Sequence, residues 1–413
     1  MFFRRAGRLL FGEVEPRLLF MCLLTAVHFA GATMPRLLIP LQLSDLGTSA
    51  EITGLVVSTY ALFPLFIALP GGVIIDRLGS RFTILVGCAL EVVAAYLLVR
   101  YPAVVPITAG TITAGVGNVL IIVAGQAYVA ALGTPKSRAN DFAVFGFATA
   151  FGHLIGPLLG GMISNSFGRG VAFAGLGVAG IAVALISLSL PPAGAAVSRR
   201  KLEDVETEGM RDLAKVAREL LKDPRAQMSI IISGCALGAF SINTSFYPVF
   251  LERIGYSDGA IGALGSVRQL SALIVRPALG YLVGGFGARR TVQGVLLIGA
   301  VAIGVTPLAS ALVPLALLAA LGGTTTALTQ PISMIMMAEG ADDEHRGLAM
   351  GLRLTGNRLV QFVGPIFLGV VVGYLGISWS FFGSALVLLV GAAVLYWKFS
   401  DYREVAPVGE RAN

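Results

Sequence analysis

The sequence predicts an all-α polytopic membrane protein with twelve transmembrane helices in two pseudo-symmetric six-helix bundles. Three observations carry that prediction. The 413 residues are 56% hydrophobic and only 13% charged, with a mean hydropathy of +0.83, whereas a soluble domain carries about 25% charged residues. Runs such as AVVPITAGTITAGVGNVLIIVAGQAYVAAL exceed the roughly 20 residues needed to cross a bilayer. Glycines, prolines and arginines recur at a constant offset of 208 residues, as in Pro40 and Pro248 or Gly115 and Gly323.

Taken in order, the apolar runs fall at about 18–42, 51–74, 82–100, 107–131, 142–165, 170–190, 227–251, 258–283, 291–311, 313–337, 347–373 and 379–398. Residues 1–190 form the N-terminal bundle, 191–226 a cytoplasmic linker, and 227–413 the C-terminal bundle with a short cytoplasmic tail. In the linker, Met210, Leu213, Val216, Leu220 and Leu221 recur at helical spacing, the mark of an amphipathic helix on the membrane surface. Arg4, Arg5 and Arg8 precede a long apolar stretch without a convincing cleavage site, which reads as a retained first helix. Cys22, Cys88 and Cys235 lie inside apolar runs without metal-ligand spacing and read as small buried hydrophobes.

Basic residues set the orientation. With both termini in the cytoplasm, the inner segments hold nearly all the lysines and arginines outside the spans, and the outer segments hold only Arg100, Arg169 and Arg253. The net charge of +7 then belongs to residues flanking anionic headgroups, with no call for nucleic acid. The repeat extends through Gly47 and Gly255, Gly54 and Gly262, Gly72 and Gly280, Gly79 and Gly287, Arg81 and Arg289, Arg138 and Arg346, Gly156-Pro157 and Gly364-Pro365, and Gly168 and Gly376. Two six-helix halves in the same orientation are the parallel-repeat pattern of secondary transporters.

Two stretches carry a family resemblance. GGVIIDRLGSR, with Gly72, Asp76, Arg77, Gly79 and Arg81, links spans two and three and resembles the signature loop of the major facilitator superfamily. GHLIGPLLGG, with Gly152, Gly156, Pro157, Gly160 and Gly161, resembles the fifth-helix motif of the superfamily's twelve-helix drug:proton antiporter branch, where it is associated with export. Glycines there let helix backbones approach closely. The sequence departs from the branch at Thr111, which stands where an arginine is usual, and at Gly284, which replaces the acid in the second-half loop. An acid-based gate is then expected on one side, from Asp76, with Arg353 or Arg346 as its partner.

Polar residues inside spans are functional candidates. Arg353, Asn357, Gln361 and Pro365 follow one face of span eleven, and Thr326, Gln330 and Ser333 one face of span ten. The resemblance implies a central cavity lined by spans 1, 4, 7 and 10, with 2, 5, 8 and 11 beside them. On that basis Arg36, Asn118, Asn243, Tyr247, Arg268, Gln330, Asn357, Arg358 and Gln361 are expected to bind substrate. Few acids stand near the arginines at membrane depth, so an anionic or acid-bearing small molecule fits them best. Glu91, His28 and His153 are the mid-membrane groups that titrate readily and are the proton-coupling candidates.

The reading that follows is a secondary carrier in an inner membrane. It is expected to export a small amphipathic or acidic organic molecule by alternating access against proton entry, to act as a monomer among lipids, and to need no cofactor or metal. Uptake of an organic anion, or coupling to another ion, is the alternative within transport; a membrane receptor or scaffold is the alternative outside it. The sequence has no nucleotide loop, metal spacing or catalytic triad, so an enzyme is not expected.

Overall fold

The computed structural model describes residues 15–67, 79–132, 137–191, 218–341 and 346–399. The described residues are helical throughout: α1 (Pro16–Asp45), α2 (Ala50–Ile67), α3 (Ser80–Arg100), α4 (Val104–Leu132), α5 (Arg138–Phe167), α6 (Arg169–Leu188), α7 (Pro224–Ser245), α8 (Tyr247–Arg253), α9 (Asp258–Val275), α10 (Leu279–Phe286), α11 (Ala288–Val305), α12 (Leu312–Glu339), α13 (Arg346–Leu375) and α14 (Ile377–Lys398). Among them, eleven helical segments are long and apolar enough to cross a membrane, and Ala50–Phe66 is a shorter apolar helix at the expected second span. Spans seven and eight are each made of two pieces, α7 with α8 and α9 with α10. The second break falls at Pro277, where one 3₁₀ turn, Arg276–Ala278, replaces the α-helix, because proline lacks the donor and crowds the preceding turn.

Gly72, Asp76 and Arg77 of the expected gating loop lie outside the described residues, as does most of the expected amphipathic linker. From Arg218 the chain is described again. Leu220 is buried with Ala226, Met337, Ala341 and Ala349, so at least one apolar residue of that expected stripe faces protein. Asp223 then caps α7, accepting from Arg225 N at 2.7 Å and Ala226 N at 3.4 Å, with Pro224 at the first helical position.

The chain divides into two compact units, Met1–Gly209 with Leu251–Ser266, and Met210–Phe250 with Val267–Asn413. In the first unit α1 packs on α5 and α6, α3 on α4 and α6, and α2 on α4. In the second, α7 packs on α12, α13 and α14, and α11 on α12 and α14. Large apolar side chains such as Val105, Val178, Leu317 and Trp397 are well exposed, as a lipid-facing surface requires.

The repeat is legible in the backbone. The positive-φ residues among those described are glycines, and they form three pairs at the 208-residue offset: Gly47 and Gly255 (67° and 95°), Gly79 and Gly287 (81° and 80°), Gly168 and Gly376 (87° and 94°). Each ends or begins a helix in a conformation that a side chain disfavours. Helix contacts repeat too. A Cβ at Gly115 would strike the carbonyl of Tyr60, and one at Gly323 the carbonyl of Arg268; a Cβ at Gly156 would strike Thr33, and one at Gly364 Ser241. Every member of the second pair in each case lies 208 positions after its counterpart.

Candidate functional site

The fifth-helix motif is a two-sided packing surface within the first unit. Cβ atoms at Gly152, Gly156 and Gly160 would run into Ala26, Ala30, Thr33 and Met34 of α1. Gly161 faces the other way: a Cβ there would meet the Asp258 carbonyl, and one at Gly262 would meet the Pro157 carbonyl. Ser266 donates to the Leu154 carbonyl at 2.7 Å along the same seam. The motif thus lets α5 touch α1 and the start of α9 at once.

The seam ends in a charge cluster that sequence reading did not bring together. Arg169, the first residue of α6, donates from Nη1 to Asp45 Oδ2 at 2.6 Å and from Nη2 to Glu252 Oε1 at 2.5 Å. Its Nε reaches Asp258 Oδ2 at 2.9 Å, and Nη2 reaches Asp258 Oδ1 at 3.1 Å. Ser164 adds a donor to Asp258 at 2.5 Å. One guanidinium therefore joins the ends of α1 and α8 to the start of α9. The fork geometry of arginine makes this possible, since its donors lie in one plane and serve several carboxylates. The sequence carried a signal: Arg169 is an isolated cation just after a turn glycine, while Asp45, Glu252 and Asp258 all stand at helix ends.

Two proton-coupling candidates meet directly in the interior of the first unit. His28 of α1 is 1% exposed and Glu91 of α3 is 0% exposed. His28 Nδ1 lies 3.2 Å from Glu91 Oε1, and its Nε2 lies 3.1 Å from Asn118 Oδ1 of α4. The His28–Glu91 separation is that of an ion pair, yet it lacks hydrogen-bond alignment, and both Glu91 oxygens are buried without a hydrogen bond among the described residues. Space for the carboxylate comes from a glycine, since a Cβ at Gly117 would stand 3.0 Å from Glu91 Cγ. In the second half the sizes are exchanged: Gly299 occupies the position of Glu91, and Thr325, at the position of Gly117, fills its space. The third candidate, His153 of α5, stacks on Phe29 with centroids 4.4 Å apart, and Phe29 meets the His28 ring edge-on at 5.0 Å.

The expected substrate residues divide between the units. Arg36 lies over the Tyr60 ring at 4.8 Å. In the second unit Arg268 is 7% exposed and lies over the Phe240 ring at 4.9 Å. Asn243, Tyr247 and Arg268 line one small cavity. Arg353 is also buried, with Nη1 3.3 Å from Gln330 Oε1 and 3.5 Å from Ser333 Oγ. It therefore joins α13 to the α12 stripe. Arg358 donates to Gln361 at 2.9 Å one turn along α13, both half-buried, and Asn357 is buried. Thr111 donates to its own helix at Ile107 O, 2.7 Å. Gly79 and Arg81 of the loop begin α3.

Apolar helices in a two-fold repeat, with ionisable groups held inside them, define a polytopic membrane carrier. The sequence profile described as Major Facilitator Superfamily matches residues 21–260 and 229–412, and the chain belongs to that family of transporters. It is similar to Multidrug resistance protein 2 of Bacillus subtilis, 23% identical over 391 residues covering 93% of this chain and 96% of the relative. An uncharacterised MFS-type transporter of Methanocaldococcus jannaschii is 23% identical over 398 residues, 93% of this chain and 98% of the relative. The quinolone resistance protein NorA of Staphylococcus aureus is 22% identical over 231 residues, 55% of this chain and 57% of NorA. Among solved structures, the nucleoside transporter NupG superposes with a TM-score of 0.76 at 14% identity, covering 94% of this chain and 100% of NupG. A bacterial homologue of the human lysosomal transporter Spinster, in an inward-facing conformation, gives 0.71 at 16% identity over 93% of this chain and 97% of that one. These likenesses show the fold.

Proposed function

We propose that this transporter works by alternating access and exports a small amphipathic or acidic organic molecule in exchange for protons. It does so in the cell's inner membrane, as a monomer with both termini in the cytoplasm. The observation that carries the proton half is the His28–Glu91 contact. With Asn118 Oδ1 accepting from Nε2–H, the other ring nitrogen, Nδ1, stands 3.2 Å from Glu91 Oε1, off hydrogen-bond alignment. An imidazole and a carboxylate brought together away from water are groups of the kind that carry a proton through a membrane protein. A buried group pair that holds a proton in one state and loses it in another is what coupling needs. The family relatives named for multidrug and quinolone resistance support export.

The substrate half rests, in the second unit, on Arg358, Gln361 and Asn357 of α13 with Gln330 of α12; Arg36 of the first unit is a separate candidate. Arginine offers a carboxylate two parallel donors. Uptake of an organic anion is the second reading; Arg353, whose polar contacts among the described residues are neutral, suits an anion moving in either direction. The deciding experiment is flux into proteoliposomes that are acidic inside. Export by exchange predicts that departing protons drive the test compound inward. A flux that follows only an inward proton gradient supports uptake, and the absence of either flux overturns proton coupling.

A further inference from the structure

In the second unit the cavity beside Arg268 has a volume of about 10 Å³, room for a single water-sized body. The guanidinium at its wall is 7% exposed, covered on one side by the Phe240 ring, and its Nε is buried without a hydrogen-bond partner among the described residues. Asn243 Nδ2 is also buried without one, and Asn243 lines the same cavity. Tyr247 and Thr306 also line it, the Thr306 hydroxyl donating to its own helix at Ala302 O, and the rest of the wall is apolar, with Ile242, Leu318 and Phe381 among its residues. Among the described residues no carboxylate stands within ion-pair distance of Arg268. A buried charge without compensation is strongly destabilising, and the ring quadrupole offsets only part of it. A water satisfies a donor but brings no charge. Chloride, a single atom somewhat larger than water, brings the charge with fewer atoms than a carboxylate, whose second oxygen and carbon need further room.

We infer that the Arg268–Asn243 cavity binds a monatomic anion, chloride in the cell, as a fixed counter-ion inside the second bundle. The site is distinct from the surface of α13 assigned to the transported molecule, and it stands whether that molecule is exported or taken up. Charge-assisted donation from Arg268, with Asn243 as a second donor, supplies the recognition. The apolar wall favours a weakly hydrated halide over a strongly hydrated anion.

The test is thermal unfolding of the purified full-length protein in sodium gluconate, with chloride, bromide, formate or acetate exchanged in at constant ionic strength. Chloride and bromide are expected to raise the unfolding temperature saturably, and formate and acetate to leave it at the gluconate value. Arg268→Gln is expected to weaken the chloride response about tenfold or more, the loss of one charge-assisted hydrogen bond, and Asn243→Ala to weaken it less. Should Arg268→Gln not fold, bromide diffused into crystals of the unaltered protein gives the second readout, with an anomalous peak expected between Arg268 and Asn243. An equal response to acetate makes the cavity a carboxylate subsite and overturns the assignment. So does a chloride response that survives Arg268→Gln, or crystals with no bromide in the cavity.

Discussion

Arg268 lies over the ring of Phe240 at 4.9 Å. At the 208-residue offset Tyr60 stands in the place of Arg268, and it lies under Arg36 at 4.8 Å. Each unit therefore keeps a cation on an aromatic face between its first and second spans, but the charge has changed helix. In the first unit the cation comes from α1 and the ring from α2; in the second the ring comes from α7 and the cation from α9. The other two partners are not repeat-related, since Arg36 corresponds to Thr244 and Phe240 to Ala32.

The first prediction concerns packing. Gly156→Val places a Cβ against Thr33 and the Ala30 carbonyl, and backbone cannot yield as a flexible side chain can. Overpacking of this kind costs about 1–3 kcal/mol. Gly146→Ala, on the same helix with nothing within 4 Å of the added carbon, is expected to be neutral. Thermal unfolding and the monodisperse yield of the two variants, side by side, decide it.

Arg169→Gln strips one guanidinium from three carboxylates. A hydrogen bond to a charged group contributes about 1.5–3 kcal/mol, and Asp258 is the best-buried partner, its side chain 13% exposed. Destabilisation of about 2 kcal/mol is expected. In a double-mutant cycle with Asp258→Asn the two changes should fall short of additivity by about 1 kcal/mol. Additive effects would mean that the cluster contributes no coupling.

Glu91→Gln replaces the carboxylate of the proposed proton-coupling pair with a near-isosteric amide. Exchange of substrate for substrate across the membrane is expected to survive, while flux driven by a pH gradient falls about a hundredfold or more, the range that positioned proton-transfer groups supply. His28→Gln should act in the same direction and His153→Gln less, since its route to the pair runs through the Phe29 ring. Normal gradient-driven flux in Glu91→Gln removes the pair from the mechanism.

Arg358→Gln is expected to weaken binding of acidic compounds by about tenfold relative to their amide and amine analogues, as one charge-assisted hydrogen bond is lost. A matched series of acid, amide and amine, measured by thermal shift, reads this directly. An unchanged ranking with amines preferred would favour a general cationic-drug pocket.

The order of helices, their apolar character and the internal repeat were open to reading because each is a local or periodic property. Gly47 with Gly255 and Gly156 with Gly364 announce their structural equivalence by spacing alone. The candidate site was legible only as a list of polar residues in apolar runs, since such residues are costly in lipid wherever they stand. That His28 belongs with Glu91, while His153 reaches them through Phe29, depends on helix rotation and on the room left by Gly117, which the sequence of any one helix does not encode. Arg169 was read only as a sign of orientation, because three carboxylates from distant helix ends become its neighbours only after packing. Composition with the spacing of its glycines, prolines and arginines determined that this chain lives in a membrane as a repeated helical fold. Tertiary structure decided which buried charges face one another and which face an empty wall, because electrostatic partners at 3 Å are chosen by helix contacts and not by distance along the chain.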